Sequence, residues 1–258
     1  MSISPAMSIT MLVLLALSFA VGVSIGAVGI GGILLIPALA VFGGLEVHRA
    51  MATALFTFFF TGVAGALLFH RRGSIDWRLT VPLSLGALAC GFLGAWVNAR
   101  MGAPALSLIL AALIVFAGIY TLAAHGGDRV APLAGRPRAQ RALLAAIGAF
   151  VGFGSGLTGV GGPAIAVPVM VMLGFPPLAT IGASLVLQVV ASLSGTATNL
   201  AYGTIDYRIA LPVAVAQLVG APLGVRIVHA VDANRLRRFI AWLCIAVGAW
   251  LAIRVLAA

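Results

Sequence analysis

Thr53, Thr57 and Thr61 stand four positions apart, and Ser184, Gln188 and Ser192 repeat that spacing 131 positions later. A spacing of i, i+4, i+8 puts each trio on one face of a helix. Hydroxyl and amide groups along such a face can replace the water around a small oxyanion, because each offers a hydrogen without carrying charge. Thr196 and Asn199 extend the second stripe. A plainer use is open to the same residues, since Ser and Thr join membrane helices through hydrogen bonds worth about 0.6–2 kcal/mol each. The amides of Gln188 and Asn199 are costlier to bury unpaired, which favours a polar path for those two.

Glycine supplies a second kind of donor, the bare backbone. The chain reads Gly22-Val23-Ser24-Ile25-Gly26-Ala27-Val28-Gly29-Ile30-Gly31-Gly32, then Pro37. It later reads Gly152-Phe153-Gly154-Ser155-Gly156-Leu157-Thr158-Gly159-Val160-Gly161-Gly162, then Pro163 and Pro168. Five glycines thus recur 130 positions on. Paired hydrophobic segments interrupted by Gly and Pro point to the substrate site of a transporter. A helix restarting after Gly31-Gly32 or Gly161-Gly162 would present free N–H groups and a partial positive charge, and glycine lets an anion approach them closely. Ser24, Ser155 and Thr158 would add hydroxyls beside Gly29 and Gly159. Gly22, Gly26, Gly152 and Gly156 fit helix packing better. A dinucleotide fingerprint is excluded, because no βαβ pattern surrounds these glycines.

Ionisable groups are scarce. His48 and His70 are candidates for proton coupling, and Asp76 and Asp206 occupy matched loops. Each Asp precedes an Arg by two positions at a helix start, so capping or a salt bridge competes with any coupling role. Cys90 and Cys244 lie in separate apolar segments, with no Cys/His cluster to hold a metal or a redox centre. The lack of a nucleophile–base or metal constellation argues against an intramembrane enzyme.

The elements that must position these groups are membrane helices. The chain of 258 residues is 62% hydrophobic and 8% charged. Its apolar runs reach the roughly 17–25 residues a hydrocarbon core demands, leaving no length for a separate soluble domain. Residues 1–20 hold no Lys or Arg, so the first segment reads as retained and not as a signal peptide. The formal charge of +10 comes entirely from arginines. They sit mostly in short loops, where topology and lipid headgroups explain them and nucleic acid does not.

Residues 7–42 as one helix would span about 54 Å at ~1.5 Å per residue, too long for a core of ~30 Å. The spacing therefore predicts pieces at 7–26 and 31–42, and a matching division of 141–174 around Gly156 to Gly162. Pro163 suits the first turn of the new helix. Full helices follow at 48–70 and 178–201, and the last of each half at 104–124 and 235–256. The fold class is all-α integral membrane. It comprises a first repeat over 1–124, a polar linker over 125–140 and a second repeat over 141–258, each of about four hydrophobic segments.

If each broken block enters and returns, one face holds eleven arginines (71, 72, 78, 129, 136, 138, 141, 226, 235, 237, 238) and the other four (49, 100, 208, 254). If each block crosses once, the split is nine to six. The positive-inside bias favours the first arrangement, which makes the halves inverted repeats with both termini outside the cytoplasm.

The duplicated Gly-x-x-x-Gly-x-x-Gly-x-Gly-Gly with its following proline, Ala52-Thr53 and Ala183-Ser184, and the loops Gly73 to Asp76 and Gly203 to Asp206 resemble the sulfite exporter TauE/SafE family. The resemblance covers nearly the whole chain. It implies multi-pass secondary transport of a small sulfur-containing anion, such as sulfite or an organosulfonate, across the bacterial cytoplasmic membrane. The second copy departs from the first by Pro163 and by one extra residue before Pro168. The expected substrate-binding set is Ser24, Gly29, Gly31, Gly32, Thr53, Thr57, Ser155, Thr158, Gly159, Gly161, Gly162, Ser184, Gln188 and Asn199. One half would rock against the other to expose it alternately. A carrier or channel for another small solute, and a membrane scaffold, are the rival readings. No cofactor is expected. The expected partners are a small anion and the lipid bilayer; a homo-oligomer is compatible with the sequence, which does not set the number of subunits.

Overall fold

The computed structural model describes residues 5–28, 31–123, 136–202, 205–227 and 233–256. Among them are ten α-helices and one 3-10 turn, with no strand. Helix α1 spans Pro5–Val28, and a 3-10 turn at Gly31–Leu34 leads into α2 (Leu35–Val41). Helices α3 (Val47–Arg71), α4 (Trp77–Asn98) and α5 (Ala103–Ala123) complete the first half. The second half holds α6 (Pro137–Thr158), α7 (Gly162–Met172), α8 (Pro177–Ala201), α9 (Tyr207–Ile227) and α10 (Ala233–Leu256). Seven of these helices are long and apolar enough to cross a membrane.

Both blocks divide where the glycines lie. Of the 125–140 linker, 125–135 falls outside the described residues, while Pro137 to Gln140 already form the first turn of α6. Pro137 suits that position because the first helical N–H has no acceptor to lose. Local chemistry ends the helices cleanly. Gly73 (φ +66°) closes α3, with Gly73 N–H donating to His70 O and Ser74 N–H to Phe69 O. Gly174 (φ +91°) closes α7 in the same way, through Val171 O and Met170 O. This double bond pattern satisfies carbonyls that a helix end would otherwise leave bare.

The exterior is apolar, and a set of uncharged polar side chains is buried within an otherwise apolar interior. Leu12, Leu85, Phe150, Trp242 and Ile253 are all more than 60% exposed, while Thr53, Thr57, Thr61, Ser155, Thr158, Ser184, Ser192 and Gln217 are fully buried. Hydrocarbon accepts the first set, and helices leave no lipid-facing backbone group unsatisfied.

Glycine sets the closest approaches. A Cβ on Gly22 would run into the carbonyl of Gln217, and one on Gly26 into that of Ala221. Contacts thus advance together along α1 and α9, so the two run parallel with their backbones touching. Gly148, Gly152 and Gly156 of α6 meet Leu83, Ala87 and Gly91 of α4 in the same parallel sense. Small residues four apart allow this approach, in line with the packing use expected for Gly22, Gly26, Gly152 and Gly156. The central pair is antiparallel: Gly62 of α3 faces Val189 of α8, and Gly65 faces Leu185. Helices α5 and α10 are antiparallel too, with Gly118 against Ala241 and Ile245, and Gly248 against Ala111 and Ile114.

The two halves of the chain therefore interleave. The first helix of each half is bound backbone to backbone with the third full-length helix of the other, α1 with α9 and α6 with α4. A rocking of one half as a unit against the other would have to part these glycine contacts.

Candidate functional site

The second break is built by backbone geometry that only glycine adopts easily. Helix α6 stops at Thr158; Gly159 takes φ +69° and donates its N–H to Ser155 O at 2.8 Å. Gly161 takes φ +84° and ψ 159°, after which α7 starts with Pro163 in its first turn. Helix α7 folds back beside α6, so that Ile165 Cδ1 would lie 2.9 Å from a Cβ on Gly154. The side chain of Asn98, at the end of α4, donates to the carbonyl of Leu157 at 2.6 Å. That carbonyl lies in the last turn of α6, where the helix offers it no donor. A Cβ on Gly159 would collide with the carbonyl of Met51, and one on Gly162 would lie 3.1 Å from Gln188 N. At the first break Gly29 lies outside the described residues. Gly31 opens the 3-10 turn, and Gly32 is buried within it.

Both breaks converge on one aromatic ring. A Cβ on Gly161 would stand 3.1 Å from Phe58 Cδ2, and one on Gly32 would stand 3.1 Å from Phe58 Cε1. Those atoms are opposite corners of the ring, so Phe58 fills the interval between the two breaks. It lies near the middle of α3 and is 1% exposed. Sequence reasoning missed it. Its only signal was position, between Thr57 and Thr61, in a run of apolar aromatics that reads as ordinary core.

The polar residues of the expected set and of the Gln188 stripe divide into engaged and unengaged groups. Gln188 Nε2 donates to Phe58 O at 2.8 Å and to Thr61 Oγ1 at 3.1 Å, which ties α8 to the backbone of α3. Its amide hydrogens are thereby used within the protein. Thr57 donates to Ala54 O, Thr61 to Phe58 O, Ser184 to Ile181 O and Thr158 to Gly154 O. Each hydroxyl returns to its own helix, the usual habit of Ser and Thr in helix interiors. Thr53 Oγ1 accepts the N–H of Asp206 at 3.2 Å, and Asn199 is buried with a partner of its own. By contrast the hydroxyls of Ser155, Ser192 and Thr196 are buried without any partner in the protein. Ser155 is one turn before Gly159 on α6, while Ser192 and Thr196 continue the Gln188 face of α8.

Other expected residues stand elsewhere. Ser24 bonds to Ala20 O at 2.9 Å and lines an apolar groove of about 660 Å³ between α1, α2 and α10, with Pro37, Phe42 and Trp250. His48, whose Nε2 lies 2.9 Å from Met101 O, is ten residues from Phe58, about 15 Å along the helix. His70 is exposed and sits edge-on to Trp77 at 5.9 Å. Asp76 Oδ1 accepts the N–H of Arg78 at 2.9 Å, and Asp206 Oδ1 accepts those of Arg208 and Ile209 at 3.0 and 3.3 Å. Both carboxylates cap helix starts. Among the described residues no three His, Cys, Asp or Glu side chains come together as metal ligands would.

Comparison with known proteins points to membrane transporters. The sequence profile described as Sulfite exporter TauE/SafE matches residues 14–251. The chain is 25% identical over 243 residues to the probable membrane transporter protein YunE of Bacillus subtilis, covering 86% of this chain and 89% of that one. It is 25% identical over 224 residues to the probable membrane transporter protein YdhB of the same organism, covering 84% and 89%. A probable membrane transporter protein of Methanocaldococcus jannaschii is 24% identical over 243 residues, covering 87% and 88%. No solved structure matches at a significant level. A profile match over nearly the full length, on a chain of apolar helices with two glycine-made breaks, places this protein in the sulfite exporter TauE/SafE family of membrane transporters.

Proposed function

We propose that the protein is a secondary transporter that carries a small sulfur-containing oxyanion, such as sulfite or an organosulfonate, by alternating access. The observation that carries this reading is the meeting of two helix breaks on opposite corners of Phe58. Backbone N–H groups at Gly161 and Gly162, the start of α7 and the unpartnered hydroxyls of Ser155 and Ser192 are neutral donors in a buried setting. Such donors suit an anion of low charge, since they can replace its hydration shell without holding it too tightly to leave. No described carboxylate reaches this region to recruit a cation. Phe58 separates the breaks, so a solute passes from one to the other only when the ring moves. An ion gradient, or the solute's own gradient, supplies the drive.

The antiparallel pairing of α3 with α8 and of α5 with α10 supports halves of opposite orientation, because repeats related by an axis along the membrane normal would pair these helices in parallel. Together with the arginine bias, this favours a cytoplasmic linker and both termini outside. Reporter fusions after Ala123 and at the C-terminus test the orientation, and signals on one face would overturn it.

The transport reading is tested by initial-rate uptake of sulfite, thiosulfate and an alkyl sulfonate into proteoliposomes, with and without a pH gradient. Saturable uptake of at least one anion, impaired by Gly161→Ala, is the expected result. Uptake of neutral solutes alone would assign the protein a different cargo.

A further inference from the structure

Gln217 is the eleventh of the 21 residues of α9, and its side chain is wholly buried. Neither Nε2 nor Oε1 has a hydrogen-bond partner in the protein. Among the described residues it is the only side chain with two separate buried polar atoms unmatched, the others being single hydroxyls. The other buried glutamine shows the ordinary outcome, with Gln188 bonded to Phe58 O and Thr61. An unpaired amide deep in a membrane helix is disfavoured, so its presence requires a use.

Packing is not that use. Position 217 corresponds to Ala87 in the first half: Gly22 rests on Gln217 as Gly152 rests on Ala87. Ala87 belongs to an apolar cluster with Val151, Ile165 and Leu187. The same architecture is thus built in one half with a methyl group where the other half has an amide. Around α9 the contacts are of two kinds. On the α1 side they are backbone to backbone through Gly22, Gly26 and Gly220. On the α3 side each contact involves a side chain of α3: Thr53 Oγ1 accepts the main-chain N–H of Asp206 just before α9, and Phe56 stands edge-on to Tyr207 at 5.6 Å. The α3–α9 seam is the one that can part without breaking a glycine interface.

We propose that Gln217 lines the solute path and contacts the transported anion when the α3–α9 seam opens. This rests on the transport reading above and adds a residue and a selectivity to it. A free N–H and a free C=O side by side match a solute that both accepts and donates. A singly protonated oxyanion such as hydrogen sulfite meets that demand, whereas an alkyl sulfonate only accepts.

Two measurements test it. In a background with Cys90 and Cys244 replaced by Ala, Gln217→Cys in proteoliposomes is treated with a charged, water-soluble thiosulfonate reagent. The thiol should react, and an alkyl sulfonate, which unlike sulfite does not consume the reagent, should slow the reaction by about fivefold or more by shifting the protein to occupied states. A thiol that stays unmodified overturns the proposal. In flux, Gln217→Met should raise KM for sulfite by about tenfold and change that for an alkyl sulfonate by less than about twofold. Unchanged KM for both solutes overturns the contact, and equal loss for both overturns the selectivity. If the unsubstituted protein moves no oxyanion, the transport reading fails, yet labelling of Cys at 217 still reports whether that position faces a water path.

Discussion

Gly161→Ala and Gly73→Ala form a matched pair that separates backbone strain from disturbance of the site. Both glycines hold positive φ, +84° and +66°; alanine at 73 meets a left-handed penalty of about 1–2 kcal/mol, and at 161, where ψ is 159°, the penalty of an extended positive-φ backbone open only to glycine, about 1–3 kcal/mol. The new methyl at 73 meets nothing within 4 Å, whereas at 161 it lies 3.1 Å from Phe58 Cδ2. The ring has little room to yield, because its opposite corner already abuts Gly32. Turning it ~30° off its rotamer costs about 0.5–1.5 kcal/mol more. The totals are about 1–2 kcal/mol for Gly73→Ala and about 1.5–4.5 kcal/mol for Gly161→Ala. Thermal unfolding of the purified proteins should separate the two only modestly. Uptake should separate them sharply, with Gly73→Ala within about twofold of the native rate and Gly161→Ala lower by about tenfold or more, which is 1.4 kcal/mol of barrier. Native uptake by Gly161→Ala, or equal losses in both variants, would refute a role for the ring's position.

Phe58→Ala removes a fully buried ring and should lower stability by about 3–5 kcal/mol; in liposomes it should also leak anion in the absence of a driving gradient, whereas Phe58→Leu should leak less. Gly22→Leu should drive α1 off α9 and reduce the folded yield on size-exclusion chromatography, by the ~1–3 kcal/mol of overpacking or more. Gly102→Ala, whose Cβ would meet only Pro104 Cδ at 3.8 Å, is the neutral control. Asp76→Ala and Asp206→Ala should each cost about 1 kcal/mol as lost caps. Uptake per folded molecule should then be unchanged, and loss of a pH-gradient dependence in either variant would show that the carboxylate does more than cap.

The helix limits were readable because Gly and Pro punctuate the chain where the backbone must change course. Pro163, Gly159 and Gly161 act through their own torsions and need no neighbour to be interpreted. What could not be read depends on which helix lies opposite. Phe58 looks like core until Gly32 and Gly161 are seen at its two corners. Gln188 was legible as a polar group at bilayer depth, but the partners of its amide hydrogens follow from the α3–α8 register. Ser24 belongs by sequence to the first break, yet it sits a full turn before it and faces the groove with Trp250. Gly22 and Gly26 announced a close contact without naming α9 as the partner.

The interleaving of the halves constrains how an alternating cycle can run. Each broken helix is bound through glycine to an element of the opposite half, α1 to α9 and α6 to α4. Backbone contacts of this kind have no slack, because any rotation drives a carbonyl into a Cα. The natural rigid units are therefore the cross-half pairs. The contacts that remain adjustable are those made by side chains, between these pairs and the central α3–α8 couple: Thr53 with Asp206, Phe56 with Tyr207, and the Ser194 hydroxyl with Leu88 O at 2.9 Å. Phe58 and Gln188 sit inside that couple and touch a break on either side. A movement of one pair relative to α3 and α8 would change the fit of one break against the ring while leaving the other in place, which is the asymmetry that opening to one side at a time demands. A disulfide joining α1 to α9 should accordingly leave uptake intact, and one joining α3 to α9 should stop it; the reverse outcome would mean that the pairs themselves come apart.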